Sequence, residues 1–202
     1  MPTVYDLKPR FQTLLRPLTR GLAAHGVTAN QVTVGAMVLS AIAGGMLALF
    51  PDSAWPLLAI PLVLFIRMAL NAIDGMLARE HRQQSRLGAV LNELGDVVSD
   101  AVLYLPFALL PGVPAGLVTL LVLAGVLVEM TGVVATQIGA SRRYDGPLGK
   151  SDRAVLFGAI ALLIGLGVAP GQWLHWLLGL ALALSILTIF KRARMALAEA
   201  RQ

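Results

Sequence analysis

The most informative stretch of this sequence runs from Asn71 to Asp100 and reads NAIDGMLAREHRQQSRLGAVLNELGDVVSD. It places Asp74, Asp96 and Asp100 inside segments that are otherwise rich in apolar residues. Ionisable side chains are costly within a membrane span and are usually retained there for a function. The stretch therefore predicts a polar functional site in a membrane protein.

The composition of the whole chain agrees with a membrane location. Of its 202 residues, 57% are hydrophobic and 13% are charged, whereas soluble domains carry about 25% charged residues. The chain has no cysteine, which excludes disulfides and thiolate metal ligands. A formal net charge of +5 would also suit binding to nucleic acid. The positions of the charges along the chain distinguish a nucleic-acid-binding protein from a membrane protein.

Six apolar segments each have close to the roughly 20 residues that cross a bilayer. They lie at 31–50, 55–78, 87–110, 114–139, 152–168 and 171–190. Lys and Arg precede the first segment, follow the second, fourth and sixth, and are missing from the other three connections. Because positive loops stay in the cytoplasm, both termini are predicted to be cytoplasmic. A basic rim beside anionic lipid explains the net charge without nucleic acid.

These segments predict an all-α fold in which residues 28–202 form a six-helix transmembrane catalytic domain. Residues 1–27 form a separate element, with apolar residues such as Phe11 and Leu18 at near-helical spacing among basic ones. This pattern predicts an amphipathic helix on the cytoplasmic membrane surface; the alternative is a disordered basic tail. Thr28 or Asn30 is predicted to cap the first span.

The polar positions of the opening stretch repeat at helical spacing. One helix face carries Asn71, Asp74 and Ala78, and the next carries Gly88, Asn92, Asp96 and Asp100. Two helices joined by a short loop pack antiparallel, so the two faces can meet near the cytoplasmic end. Oxygen ligands without His or Cys suit Mg²⁺ or Mn²⁺, and a hard cation beside arginines suits phosphate chemistry.

At this point the stretch resembles the CDP-alcohol phosphatidyltransferase family, which carries D-x2-D-G-x2-A-R-x8-G-x3-D-x3-D. The pattern aligns without a gap, through Asn71, Asp74, Gly75, Ala78, Arg79, Gly88, Asn92 and Asp96, and Asp100 adds one further turn. The predicted surface helix and six spans extend the resemblance over the rest of the chain.

The resemblance implies an enzyme of phospholipid synthesis in the cytoplasmic (inner) membrane of a bacterium, commonly a homodimer. The donor is a CDP-alcohol, usually CDP-diacylglycerol, the acceptor is a small alcohol, and CMP is released. One or two divalent cations, Mg²⁺ or Mn²⁺, would be held by Asn71, Asp74, Asn92, Asp96 and Asp100. Asp96 would be the general base. The nucleotide would lie against Gly75, Ala78, Arg79 and Gly88.

This chain departs from the family pattern at Asn71 and Asn92, where the motif has carboxylates. An amide oxygen coordinates a hard cation but brings no charge. One metal could suffice, Asp100 could join the ligands, Glu93 could replace Asn92, or the enzyme could be inactive. We favour retained activity, because a decayed site would not be expected to keep the other motif residues at the right spacing.

A basic segment before the fifth span supplies candidate acceptor contacts, namely Arg142, Arg143, Lys150 and Arg153. Relatives with phosphorylated acceptors bind that phosphate in this region, so the resemblance implies an anionic acceptor such as a polyol phosphate. The alternative is ordinary positive-inside charge. Within the spans, Arg67 is either a contact in the substrate cavity or a partner of Glu129 or the motif acids, since a buried arginine needs a counter-charge.

The sequence also allows two functions other than that of an active enzyme. A non-catalytic member of the family could bind CDP-lipid and regulate a partner enzyme, and the two asparagines keep this alternative open. A transporter would also place acids in its spans, but it predicts inverted repeats or paired broken helices, and the sequence shows neither.

Overall fold

The structure, a computed structural model, describes the backbone of residues 4–201 and the side chains of residues 11–201. Within that range it contains seven α-helices, two short 3-10 helices and no β-strand. The α-helices are α1 (Val4–Ala24), α2 (Ala29–Leu49), α3 (Ala54–Glu80), α4 (Arg86–Tyr104), α5 (Ala115–Val134), α6 (Lys150–Gly165) and α7 (Gln172–Glu199). The 3-10 helices are Leu105–Leu109 and Ala135–Ile138. The all-α prediction is confirmed.

Four stretches of the described chain are long and apolar enough to cross a membrane. They are Ala29–Leu49, Ala54–Glu80, Ala115–Ile138 and Gln172–Glu199. The two remaining predicted spans coincide with α4, which has 19 residues, and α6, which has 16. Helix α4 carries three acids and α6 is short for a bilayer, so the count of six spans stays a prediction.

The chain divides into two compact units. The first comprises Met1–Ile42 and Leu62–Ser99, and the second comprises Ala43–Pro61 and Asp100–Gln202. The motif residues from Asn71 to Asp96 therefore belong to the first unit. Asp100 and the basic segment before α6 belong to the second.

In the first unit, α1 packs against α2 and α3. The buried centre consists of Ala29, Val32, Ile73 and Leu77, with Leu15, Leu22, Ala23, Val27, Leu70 and Ala78 packed around it. Arg16 of α1 forms an ion pair with Glu80 of α3 at 3.0 Å. On the other side of α1, Leu14 and Leu18 are 75% and 53% exposed. The exposed leucines agree with an interfacial helix, but the membrane placement of α1 stays a prediction, and the side chains before Phe11 lie outside the described residues.

The N-terminus of α2 is fixed by two sets of hydrogen bonds. Thr28 Oγ1 accepts from the Gln31 N–H at 3.2 Å, and Gln31 Oε1 accepts from the Thr28 N–H at 2.9 Å. This reciprocal pair is a capping box, so of the two predicted caps Thr28 is the one used. Gln83, in the connection between α3 and α4, accepts from the Ala29 N–H at 2.7 Å. That bond holds the α3–α4 connection against the start of α2.

In the second unit, α5 packs along α7, and aromatic rings join α4 to α6. Tyr104 stacks on Phe157 with ring centroids 4.2 Å apart. Gly44 of α2 faces the carbonyl oxygen of Val102 so closely that a Cβ at this position would overlap that oxygen, whereas a Cβ at Gly45 would meet open space. The first glycine of the pair therefore serves helix packing.

Candidate active site

A cavity of about 400 Å³ opens in the first unit. Six motif residues line it, namely Asp74, Gly75, Ala78, Arg79, Gly88 and Asn92. Residues of α2 and of the α3–α4 connection complete the wall, among them Asn30, Thr33, Gln83 and Ser85. Parts of the two helix faces predicted from the sequence spacing thus meet in one cavity, whereas Asn71, Asp96 and Asp100 are not among the residues that line it.

Asp74 is held in this cavity by a residue that the sequence did not nominate. Its side chain is buried, and its Oδ2 accepts a hydrogen bond from Thr33 Oγ1 at 2.9 Å. Thr33 Oγ1 also lies 3.0 Å from the Ala29 carbonyl oxygen. A hydroxyl that donates a hydrogen bond to a buried carboxylate fixes the orientation of that carboxylate, so Thr33 positions Asp74.

Asp96 lies beside Asn71 and is only partly buried. The Asn71 amide donates to Asp96 Oδ1 at 3.4 Å. Arg67, which is buried, donates to the Asp96 backbone carbonyl at 3.3 Å. Arg67 therefore contacts α4 at the predicted general base, on the same face of α3 as Asn71.

The absence of a side chain at Gly88 lets α4 approach α2 closely. A Cβ at this position would lie 2.7 Å from Asn30 Oδ1 and 3.0 Å from Ser85 Oγ. The Gly88 N–H donates to Ser85 Oγ at 2.9 Å. Asn30, considered as a helix cap from the sequence, instead faces the cavity.

The donor chemistry at these positions fits a hard divalent cation. Asp74 and Asn92 line the cavity, and Asn71 contacts Asp96, so the four predicted ligands occur as two pairs, each of one carboxylate and one amide. Within the described residues, no three His, Cys, Asp or Glu side chains are grouped so that they could hold a metal ion. This agrees with the two asparagines, because half of the predicted ligand set consists of amide oxygens.

Asp100 has a different environment from the other motif acids. It is buried in the second unit and accepts from Arg153 Nη2 at 2.9 Å and Arg153 Nε at 3.3 Å. This ion pair occupies the carboxylate that the sequence suggests as an additional metal ligand. Glu93, suggested as a replacement for Asn92, lies half-buried on α4.

The basic segment before α6 forms ion pairs within itself and with residues of α5 and α7. Arg143 donates to Asp145 at 2.8 Å and to Glu199, and its guanidinium holds the pKa of the Asp145 carboxyl below its ordinary value. Arg142 lies over the Tyr144 ring at 4.4 Å. Lys150 is the first residue of α6 and is half-buried.

Glu129 of α5 is the centre of this network. It pairs with Arg153 at 3.2 Å, with Arg192 at 3.3 Å and with Arg142 at 3.5 Å. Arg192 also donates to the Val128 carbonyl at 2.7 Å. The sequence pointed to Glu129 as a partner for Arg67 but did not nominate Arg192, which looked like one more positive charge after the last span.

The fold and this cavity define a helical membrane protein with an oxygen-rich site shared by two consecutive helices. The chain belongs to the CDP-alcohol phosphatidyltransferase family, since a model of that family matches residues 26–187. This membership confirms the resemblance in the motif and makes the protein a transferase of phospholipid biosynthesis, from a family that depends on divalent cations.

Individual relatives agree with the family. The chain is 49% identical to the inner membrane protein YnbA of Escherichia coli, over 96% of both chains. It is 29% identical to a phosphatidylinositol phosphate synthase of Mycobacterium marinum, over 89% of this chain and 75% of the relative.

Solved structures share the fold. The phosphatidylinositol phosphate synthase PgsA1 of Mycobacterium tuberculosis with CDP-DAG bound has a TM-score of 0.74 at 22% identity, over 89% of this chain and 92% of that one. The same enzyme in complex with manganese and citrate has a TM-score of 0.75 at 22% identity, over 90% and 88%.

Proposed function

We propose that this protein transfers the phosphatidyl group of a CDP-alcohol, CDP-diacylglycerol, to the hydroxyl group of a small acceptor and releases CMP. The observation that carries the proposal is the cavity of the first unit, which six residues of the family motif line together. Relatives named as phosphatidylinositol phosphate synthases, one of them solved with CDP-DAG bound, support the choice of donor.

The nucleotide end of the donor would lie against Gly75, Ala78, Arg79 and Gly88. The three small residues leave room for the backbone to approach a phosphate or a ribose. Arg79 is exposed at the end of α3, where its guanidinium can reach a phosphate oxygen from the water side.

One or two divalent cations, Mg²⁺ or Mn²⁺, would be held by Asn71, Asp74, Asn92 and Asp96. When bound, the cation supplies charge neutralisation for the pyrophosphate. Two carboxylates balance one dication, so one metal is the simpler occupancy. Asp100 remains a possible fifth ligand, which would have to exchange its ion pair with Arg153.

Asp96 would take the proton of the acceptor hydroxyl. Its carboxylate is partly exposed and contacts the Asn71 amide, which suits a base that must meet an acceptor from water. The acceptor oxygen then bonds to the phosphorus that carries the lipid. The bond from that phosphorus to the bridging oxygen breaks, and CMP leaves with both electrons of that bond.

Our candidates for contacts with the acceptor are Arg142, Arg143, Lys150 and Arg153, with Arg67, Glu93 and Glu129 in supporting roles.

For the membrane arrangement we propose six spans, with α4 and α6 added to the four long ones, and α1 at the cytoplasmic surface. Both termini would be cytoplasmic, the membrane would be the bacterial inner membrane, as the relative YnbA suggests, and the protein would be a homodimer.

The test is CMP release by the purified protein in detergent, with CDP-diacylglycerol, Mn²⁺ or Mg²⁺, and a panel of polyols, polyol phosphates and serine. Release that depends on an acceptor and stops on chelation of divalent cations is the expected result. Release that continues unchanged in excess chelator would exclude the metal-dependent mechanism.

Asn71 and Asn92 favour one alternative, a family member that binds CDP-lipid without turning it over. That protein would show calorimetric binding of CDP-diacylglycerol but no CMP release with any acceptor. Restoring the two carboxylates by Asn71→Asp and Asn92→Asp would then be the next measurement.

A further inference from the structure

The connection 139–149, which leads into α6, is bonded to α7 at three points along its length. The bonded pairs are Ser141 with Glu199, Asp145 with Arg192, and Leu148 with Thr188. The three α7 residues are separated by four and seven positions, so they lie on one face of that helix. We call this face, formed by Thr188, Arg192 and Glu199, the α7 seat. One helix therefore holds the connection from its start to its end.

Thr188 makes the contact of the α7 seat that is nearest to the start of α6. Its side chain is fully buried, and its Oγ1 accepts from the Leu148 N–H at 3.0 Å and donates to the Leu184 carbonyl at 2.8 Å. Gly146, which has a φ of +126°, passes so close that a Cβ there would overlap the Thr188 side chain. The connection thus contacts Thr188 both through a hydrogen bond and through close packing of its backbone.

Glu199 holds the other end of the connection. Its two carboxylate oxygens accept from the Ser141 N–H and the Ser141 hydroxyl, each at 2.9 Å, and it also pairs with Arg143. Arg143 donates in turn to Asp145 at 2.8 Å. Because two carboxylates engage its guanidinium group, Arg143 braces the connection against α7.

The end of the connection sets where α6 begins. Leu148 is followed directly by Gly149, which is the N-cap of α6, and Lys150 is the first helical residue. Arg153, in the first turn, is 2% exposed, and its Nη1 has no hydrogen-bond partner within the described part of the chain. A buried N–H without a partner costs free energy, and an oxygen atom of a bound acceptor would supply the missing partner.

We propose that Thr188 and Glu199 are positioning residues for the acceptor. They hold the connection 139–149 in the conformation that places Lys150 and Arg153. Because this conformation is already ordered, the acceptor is spared the free energy of ordering it on binding. Both residues lie beyond residue 187, where the match to the family model ends. The inference rests on the proposed transferase function, and it holds for acceptors with or without a phosphate group.

The test measures CMP release from CDP-diacylglycerol with Mn²⁺ in detergent, using the acceptor of the panel that gives the fastest release. Thr188→Val keeps the shape of the side chain and removes the bond to Leu148. It is expected to raise the KM for the acceptor about tenfold, since a buried N–H loses its partner. The kcat and the KM for the donor are expected to stay within about twofold of wild type, because only acceptor binding has lost free energy.

Two variants on the same face of α7 provide controls. Thr188→Ser restores the hydroxyl and is expected to return the acceptor KM close to the wild-type value. Ser185→Ala removes a fully buried hydroxyl that lies one turn earlier and has no hydrogen-bond partner within residues 11–201, and it is expected to leave the acceptor KM unchanged. An equal rise in Ser185→Ala and Thr188→Val would show a general effect of repacking α7 and would overturn the role of Thr188.

Glu199→Ala tests the other end of the connection. It removes both bonds to Ser141 and the ion pair with Arg143. The expected rise in acceptor KM is about 3- to 10-fold, smaller than for Thr188→Val because the Glu199 side chain is 38% exposed. If Thr188→Val does not fold, this variant decides the inference.

Folded Thr188→Val and Glu199→Ala proteins with the wild-type acceptor KM would overturn the inference while the transferase function stands. An equal rise in the KM for donor and acceptor would also overturn it, because that result indicates a general disturbance of the fold. If the wild-type protein releases no CMP with any acceptor, the proposed function is refuted, and this inference with it.

Discussion

Substitution of Thr33 by Val tests whether the hydrogen bond that Thr33 donates to Asp74 contributes to metal binding. Valine has nearly the same shape as threonine, so the change removes the hydroxyl without opening a cavity. The lost bond runs from Thr33 Oγ1 to a carboxylate oxygen of Asp74 at 2.9 Å. A hydrogen bond to a charged group contributes about 1.5–3 kcal/mol.

That energy corresponds to a factor of about 10 to 100 in an equilibrium constant. Loss of a residue that orients a metal ligand typically weakens metal binding by a similar factor. The concentration of Mn²⁺ that gives half-maximal CMP release should therefore rise by about 10- to 100-fold in Thr33→Val. The assay is a titration of Mn²⁺ into the metal-free protein in detergent, with CDP-diacylglycerol and the best acceptor of the panel.

Two variants provide controls for this titration. Thr33→Ser keeps the hydroxyl and should stay close to the wild-type Mn²⁺ requirement. Thr19→Val removes another buried hydroxyl of the first unit, one that bonds the Leu15 carbonyl and contacts Met76 Sδ, and it should not change the requirement. A folded Thr33→Val protein with the wild-type Mn²⁺ requirement would refute the positioning of Asp74 by Thr33.

Three further predictions use other residues. Asp96→Asn should lower CMP release by about 10²- to 10⁴-fold, the usual contribution of a general base, while calorimetric binding of CDP-diacylglycerol persists; full activity would remove Asp96 as the base. Asn71→Asp and Asn92→Asp each add a carboxylate at the proposed cation site, so the Mn²⁺ requirement should fall, and a sharp rise in both would give the asparagines a specific role. Gly44→Ala should destabilise the protein by about 1–3 kcal/mol through overlap with the carbonyl it faces, whereas Gly45→Ala should be neutral or slightly stabilising in thermal unfolding.

The two polar helix faces and the family could be predicted from the amino-acid sequence alone. Asp74, Gly75 and Ala78 lie within about one turn of one another on α3, and Gly88 and Asn92 are one turn apart on α4. Positions at this spacing share a helix face whatever surrounds them, so the cavity that they line together could be anticipated. For the cap of α2 the sequence left two candidates, Thr28 and Asn30, and the hydrogen bonds between Thr28 and Gln31 select Thr28.

Which side chains contact the motif residues and which stabilise the fold depends on the packing of the helices. Thr33 reaches Asp74 across 41 positions, and Arg153 reaches Asp100 across 53. Glu129 meets Arg192 across 63 positions. Such pairings depend on how helices pack, and they leave no periodic signal in one sequence. Asp100 thus lies on the same helix face as Asp96 but forms an ion pair with an arginine of another helix. A buried charge requires a counter-charge, and helix packing brings Arg153 to Asp100.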